Sequence, residues 1–180
     1  MESKLFTPVT FGPLTLRNRT IRSAAFESMC PGNAPSDMLL DYHRSVAAGG
    51  IGMTTVAYAA VTQSGLSFDR QLWMRPEIIP GLRRLTDAIH AEGAAAGIQL
   101  GHCGNMSHKS ICGCMPVGAS SGFNLYSPTF VRGLRADELP EMARAYGRSV
   151  NLAREAGFDS VEIHAGHGYL ISQFLSPYTN

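Results

Sequence analysis

The sequence is short of the features that mark a special environment. No apolar stretch approaches the roughly 20 residues that a membrane-spanning helix needs. Met1-Glu2-Ser3-Lys4 leads into no long apolar run of the secretory kind, so the expected compartment is the cytoplasm. Formal net charge is only +1, and no basic run interleaves with aromatics, which leaves nucleic acid and acidic membranes without an electrostatic case. There are four cysteines, Cys30, Cys103, Cys112 and Cys114. Cys112-Gly113-Cys114 has C-x-C spacing, not the C-x2-C of most zinc and redox motifs. They read as reduced thiols, with a structural metal on Cys103, Cys112 and Cys114 as the sharper alternative. Neither G-x-G-x-x-G nor a P-loop occurs, so a Rossmann domain has no anchor.

What is present is an ordinary globular composition, 44% hydrophobic and 16% charged over 180 residues, enough for one domain with a core. Phe11-Gly12-Pro13 between Thr7–Thr10 and Leu14–Leu16 predicts a hairpin. A strand over Thr20–Ala25 follows, then a Pro/Gly loop. Ser36 caps a helix over Asp37–Ala48, which Gly49 and Gly50 end. Ile51–Ala60 reads as a strand buried on both faces. Pro80 starts a helix to about Glu92, with Leu82, Leu85 and Ile89 on its inner face. Ala95–Leu100 is the third buried strand. Residues 105–133 form a long mixed loop, and loops of that length in compact domains are usually functional. A helix then runs to about Ala156, and Asp159–Ile163 is the fourth strand. Alternating strands and helices make a parallel sheet covered by helices. The fold class is α/β, a (β/α)8 TIM barrel, which takes about 250 residues when complete. Residues 1–180 supply its hairpin and about four βα units, so the chain reads as the N-terminal half of one domain. The open strand edges leave a homo-oligomer as a further expectation.

Barrel active sites lie at the carboxyl ends of the strands. Ser23-Ala24-Ala25-Phe26, Tyr58, Gln99 with His102, and the cluster His164, His167 and Tyr169 fall at four such ends. Four ends presenting small or polar groups to one rim make the case for a site. A metal on His102, His164 and His167 is one alternative. Glu162 alternates onto the side of His164 and is expected to meet a cation, with Arg22 the candidate.

Leu5-Phe6-Thr7-Pro8, Leu16-x-Asn18-Arg19, Gly97-Ile98-Gln99-Leu100-x-His102 and, above all, Ala156-Gly157-Phe158-Asp159-x-Val161-Glu162-Ile163-His164-x-x-His167-Gly168-Tyr169-Leu170 resemble the Old Yellow Enzyme family of NADH:flavin oxidoreductases. The resemblance runs through the whole chain in order. It implies an FMN-binding barrel that takes electrons from NAD(P)H and reduces the C=C bond of a small activated alkene. It further implies that Ser23, Ala24, Ala25, Phe26 and Tyr58 line the flavin and that Gln99 bonds its polar edge. His164 and His167 would bind the substrate oxygen, and Tyr169 would donate the proton. The chain departs from the family at Phe26, where relatives carry a flavin-tuning Cys or Thr. It departs again at Cys103 and Asn105, where Ala and Arg are usual. The family's phosphate-binding loops follow strands seven and eight, so these residues alone are expected to hold FMN weakly or not at all.

Overall fold

The computed structural model describes residues 3–180. The chain opens with a hairpin of β1 (Val9–Phe11) and β2 (Leu14–Leu16), antiparallel in register Phe11↔Leu14. Gly12 turns it at φ +56°, a region that suits glycine. Arg17 then fastens the hairpin to the base of the sheet. Its guanidinium donates to the carbonyls of Ile51 (2.9 Å), Glu92 (2.7 Å) and Ala47 (2.5 Å), all near helix or strand ends.

The next element, β3 (Ile21–Arg22), is far shorter than the expected Thr20–Ala25. It pairs in parallel with β4 only through Ile21↔Met53 and Arg22↔Thr54. Beyond it the Glu27 carboxylate replaces the ladder, with Oε2 accepting from the Ala57 N–H at 3.3 Å. Glu27 Oε1 also meets Arg22 Nη1 (2.9 Å) and His43 Nε2 (3.2 Å). Arg22 is therefore paired to Glu27 and not to Glu162.

Helix α1 (Asp37–Ala48) keeps the predicted bounds, and the Ser36 hydroxyl accepts from the Leu39 N–H at its start. Leu39, His43 and Ala47 form its buried stripe. Strand β4 (Met53–Ala60) is buried from Thr54 onward. Helix α2 (Ile79–Ala91) begins one residue before Pro80, and Leu82, Leu85 and Ile89 are fully buried. Each such side chain contributes about 1.5–3 kcal/mol by leaving water. Strand β5 (Ala95–Gly101) pairs in parallel with β4, with a register shift between Val56 and Ala59.

The stretch read as a loop contains structure of its own. Helix α3 (Lys109–Cys112) is followed by β6 (Val117–Gly118), β7 (Gly122–Asn124) and β8 (Thr129–Gly133), a small sheet in the order β6-β8-β7. Strands of two and three residues are too short to show alternation, so they left no periodic signal. Helix α4 (Leu139–Glu155) buries the small residues Ala145, Ser149 and Ala153 close against the sheet. Strand β9 (Ser160–Ile163) and helix α5 (Leu170–Leu175) complete the chain.

The main sheet has the order β3-β4-β5-β9, all parallel. Val56, Ala96, Ile98 and Leu100 pack with the inner faces of α1, α2 and α4. Alternation sends Thr55, Gln99 and Glu162 to the opposite, concave face. No helix among the described residues is long and apolar enough to cross a membrane.

Candidate active site

The concave face holds an open hollow of about 710 Å³, lined among others by Ser23, Ala24, Gln99, His164 and His167. It runs along that face from Ile21 and Met53, at the starts of β3 and β4, to His164 and His167 beyond the end of β9, where a barrel is expected to bind ligands. His164 leaves β9 directly, its N–H bonded to the Leu100 carbonyl at 2.8 Å. The chain then turns back through His167 (φ +57°) and Gly168 (φ +67°). A left-handed conformation at histidine costs about 1–3 kcal/mol, a cost typical of site residues held by their surroundings.

That turn puts His167 Nδ1 3.0 Å from His164 Nε2. His164 Nδ1 accepts from the Gly166 N–H at 3.3 Å, so in neutral His164 the ring proton sits on Nε2 and is donated to His167 Nδ1. His167 then carries its own proton on Nε2. The pair was expected to present two N–H donors to one oxygen. In this state one bond is internal and one donor faces outward. Burial, followed by the neighbouring His167, holds His164 below the ordinary histidine range, which favours that neutral form.

Tyr169 caps the start of α5, and its ring lies 4.9 Å from that of His164 and 6.1 Å from that of His167. Burial raises its phenol above the ordinary value, so it keeps its proton through neutral pH. Tyr58 does not line the hollow. It is buried behind Tyr169, centroids 5.4 Å apart, and its hydroxyl sits 3.0 Å from the Gly65 carbonyl and 2.9 Å from Ser67 Oγ. Phe26 also lies off the hollow and stacks on Phe68 at 4.7 Å, while Ala25 is exposed beside it.

Gln99 and Glu162 face each other across β5 and β9, with Gln99 Nε2 2.6 Å from Glu162 Oε1. A carboxylate only accepts, so the amide orientation is fixed and Gln99 Oε1 is left without a partner among the described residues. Glu162 thus meets an amide donor where a cation was expected.

Two residues that sequence reasoning gave no role hold this arrangement together. One is Glu27. The other is Gln173, buried in α5, whose Nε2 reaches the carbonyls of Gly168 (2.7 Å) and Cys103 (3.3 Å) and Asn105 Oδ1 (2.9 Å). Its Oε1 accepts from the Asn105 N–H at 3.2 Å. Gln173 ties the histidine turn to the end of β5.

The metal alternatives do not assemble. His102 is buried with both ring nitrogens engaged, Nδ1 by the Gly104 N–H (2.9 Å) and Nε2 with Ser64 Oγ (3.1 Å). Among the described residues no three His, Cys, Asp or Glu side chains converge as metal ligands would.

A second hollow, of about 780 Å³, opens between the β7–β8 turn and the C-terminal turn, with Phe123, Leu125 and Tyr126 on its wall. His167 is the one side chain that lines both hollows.

A parallel βα scaffold with paired histidines and a glutamine toward its strand ends places the chain among barrel-type α/β proteins. The chain belongs to the NADH:flavin oxidoreductase / NADH oxidase family, whose model matches residues 4–180. It is 43% identical over 176 residues to the 4,4'-dithiodibutanoate disulfide reductase of Rhodococcus erythropolis, covering 98% of this chain and 44% of that protein. It superposes on the old yellow enzyme homologue of Zymomonas mobilis with TM-score 0.91 and 27% identity, over 99% of this chain and 53% of that one. Morphinone reductase in complex with tetrahydroNAD gives TM-score 0.90 and 27% identity over 99% and 54%. The chain thus spans about half the length of the relatives it matches, whose fold is the (β/α)8 TIM barrel. The family name and these neighbours point to FMN and NAD(P)H as cofactors.

Proposed function

We propose that this chain forms the substrate-activating half of an ene-reductase site, in which an activated alkene of enone, enal or enoate type is reduced at its C=C bond. The residues fit a flavin. Ser23 and Ala24 leave a small-residue wall in the first hollow, and Gln99 Oε1 is an unengaged acceptor for a ring N–H. FMN, when bound, supplies a hydride equivalent drawn from NAD(P)H. The phosphate grip belongs to the part of the barrel outside the matched half.

The observation that carries the reading is the position of His167, held by His164 at 3.0 Å and lining both hollows. A cofactor in one hollow and an acceptor in the other would share this donor. His167 Nε2–H would bind the substrate carbonyl or carboxylate oxygen. His164 would turn its own N–H to the same oxygen as charge develops there, and one such donor is worth about 3 kcal/mol in comparable oxyanion sites. Tyr169, kept protonated by burial, would deliver the proton to the α-carbon.

The relative named as a disulfide reductase brings a second acceptor class. An S–S bond also accepts a hydride equivalent and releases a thiolate, an anion the same histidines could stabilise and the same tyrosine could protonate. Separate half-reactions test the reading. Tyr169→Phe should leave flavin reduction by NAD(P)H near wild type and slow reoxidation by an enone about 10²-fold, the usual worth of a positioned proton donor. Equal slowing of both halves would reject the assignment.

A further inference from the structure

Cys112 and Cys114 stand apart from everything the proposed reaction uses. Cys112 closes α3 and is fully buried, and Gly113 at φ +71° folds the chain back on itself. Cys114 Sγ consequently lies 3.6 Å from Cys112 Sγ, and the Cys112 thiol donates to the Cys114 carbonyl at 3.2 Å. Cys114 is partly exposed, while Cys30 and Cys103 are buried, the latter with its thiol on the Leu66 carbonyl at 3.4 Å. One accessible sulfur therefore has a second sulfur already in van der Waals contact, and glycine between them gives the backbone freedom to close. Cys112 belongs to the apolar cluster that contains Tyr58, and Cys114 packs against that cluster.

We propose that Cys112 and Cys114 form a thiol–disulfide exchange site for small organic disulfides, distinct from the histidine–tyrosine rim. The Cys114 thiolate attacks one sulfur of RS–SR, forming a Cys114–S–S–R mixed disulfide and expelling RS⁻, which takes up the proton lost by Cys114. Cys112 then attacks the Cys114 sulfur, closing the Cys112–Cys114 bond and expelling the second RS⁻, which takes up the proton lost by Cys112. The substrate gains two electrons and two protons, and the protein dithiol loses the same. Closure needs the sulfurs to move from 3.6 Å to a bonded separation of about 2.05 Å. Burial and the adjacent Cys112 sulfur push the Cys114 thiol up to about 11, so little thiolate is present and exchange is slow at neutral pH.

The test treats reduced, desalted protein with excess 2-hydroxyethyl disulfide, quenches with N-ethylmaleimide and maps the cysteine peptides by mass. The expected wild-type product is one peptide carrying Cys112 and Cys114, two hydrogens lighter and unalkylated, with Cys30 and Cys103 alkylated after denaturation. Cys112→Ser should accumulate the mixed disulfide on Cys114, and Cys114→Ser should show neither product. A stable mixed disulfide on Cys114 of the wild type would overturn the proposal, as would both thiols remaining free after prolonged exposure. The wild-type readout decides even if a serine variant folds poorly.

Discussion

His164 Nε2 and His167 Nδ1 are 3.0 Å apart, and the Gly166 N–H on His164 Nδ1 fixes which ring donates to which. The two imidazoles behave as a relay with one outward N–H, not as two independent prongs. Substrate binding must break or share the internal bond to recruit the second donor.

The replacements at these positions should therefore be non-additive. His167→Ala is expected to slow enone-driven reoxidation of the reduced flavin about 10²-fold, the scale of one lost donor. His164→Ala should cost at least as much, because it also frees the His167 ring. The double variant should fall within a few-fold of His164→Ala. Rapid-mixing kinetics on the three proteins measure this, and multiplicative losses would mean that the histidines act separately.

Glu162 is expected to act through Gln99. Glu162→Gln keeps the volume but both donates and accepts, so the Gln99 amide loses its fixed orientation. FMN affinity should weaken about tenfold, equivalent to about 1.4 kcal/mol. Fluorescence titration gives the value, and unchanged affinity would remove Glu162 from the flavin site.

His102 predicts an acid-side loss of stability. Burial lowers it from the ordinary histidine value of 6.5 to about 4, so the unfolded chain binds the proton first as pH falls. The stabilisation from keeping it neutral is complete above about pH 6.5 and is lost progressively down to about pH 4. The full window amounts to about 3 kcal/mol, of which about 2 is gone by pH 5. Urea unfolding at pH 7 and pH 5, on wild type and His102→Gln, should show a loss about 2 kcal/mol larger in the wild type.

Gln173→Ala should destabilise the protein by about 3 kcal/mol, since it strands the Gly168 carbonyl and the Asn105 N–H. It should also slow the reaction, because the turn carrying His167 loses its tie to β5. Denaturant midpoints together with reoxidation rates check both effects.

The strongly patterned elements were legible from the residues. Ser36 and the Gly49-Gly50 pair bound α1 at both ends, and Leu82, Leu85 and Ile89 announced the inner face of α2. The strand-end rule also placed Ser23, Ala24, Gln99, His164 and His167 around one hollow. What escaped depends on contacts distant in sequence. β3 stops at Arg22 because Glu27 takes over the bonding of Ala57, and nothing local in the sequence announces that substitution. Tyr58 sits behind Tyr169 and off the hollow because β4 shifts register between Val56 and Ala59. The Gln99–Glu162 pair depends on the β5–β9 register, which alternation alone does not set.

The hollow beside Gln99 and His167 is the proposed flavin site, and FMN fluorescence titrated with the wild-type protein and with Gln99→Leu tests it. Quenching is expected to weaken at least several-fold in Gln99→Leu while thermal stability stays within a few degrees of the wild type. Saturable quenching of equal strength by the two proteins would rule the site out.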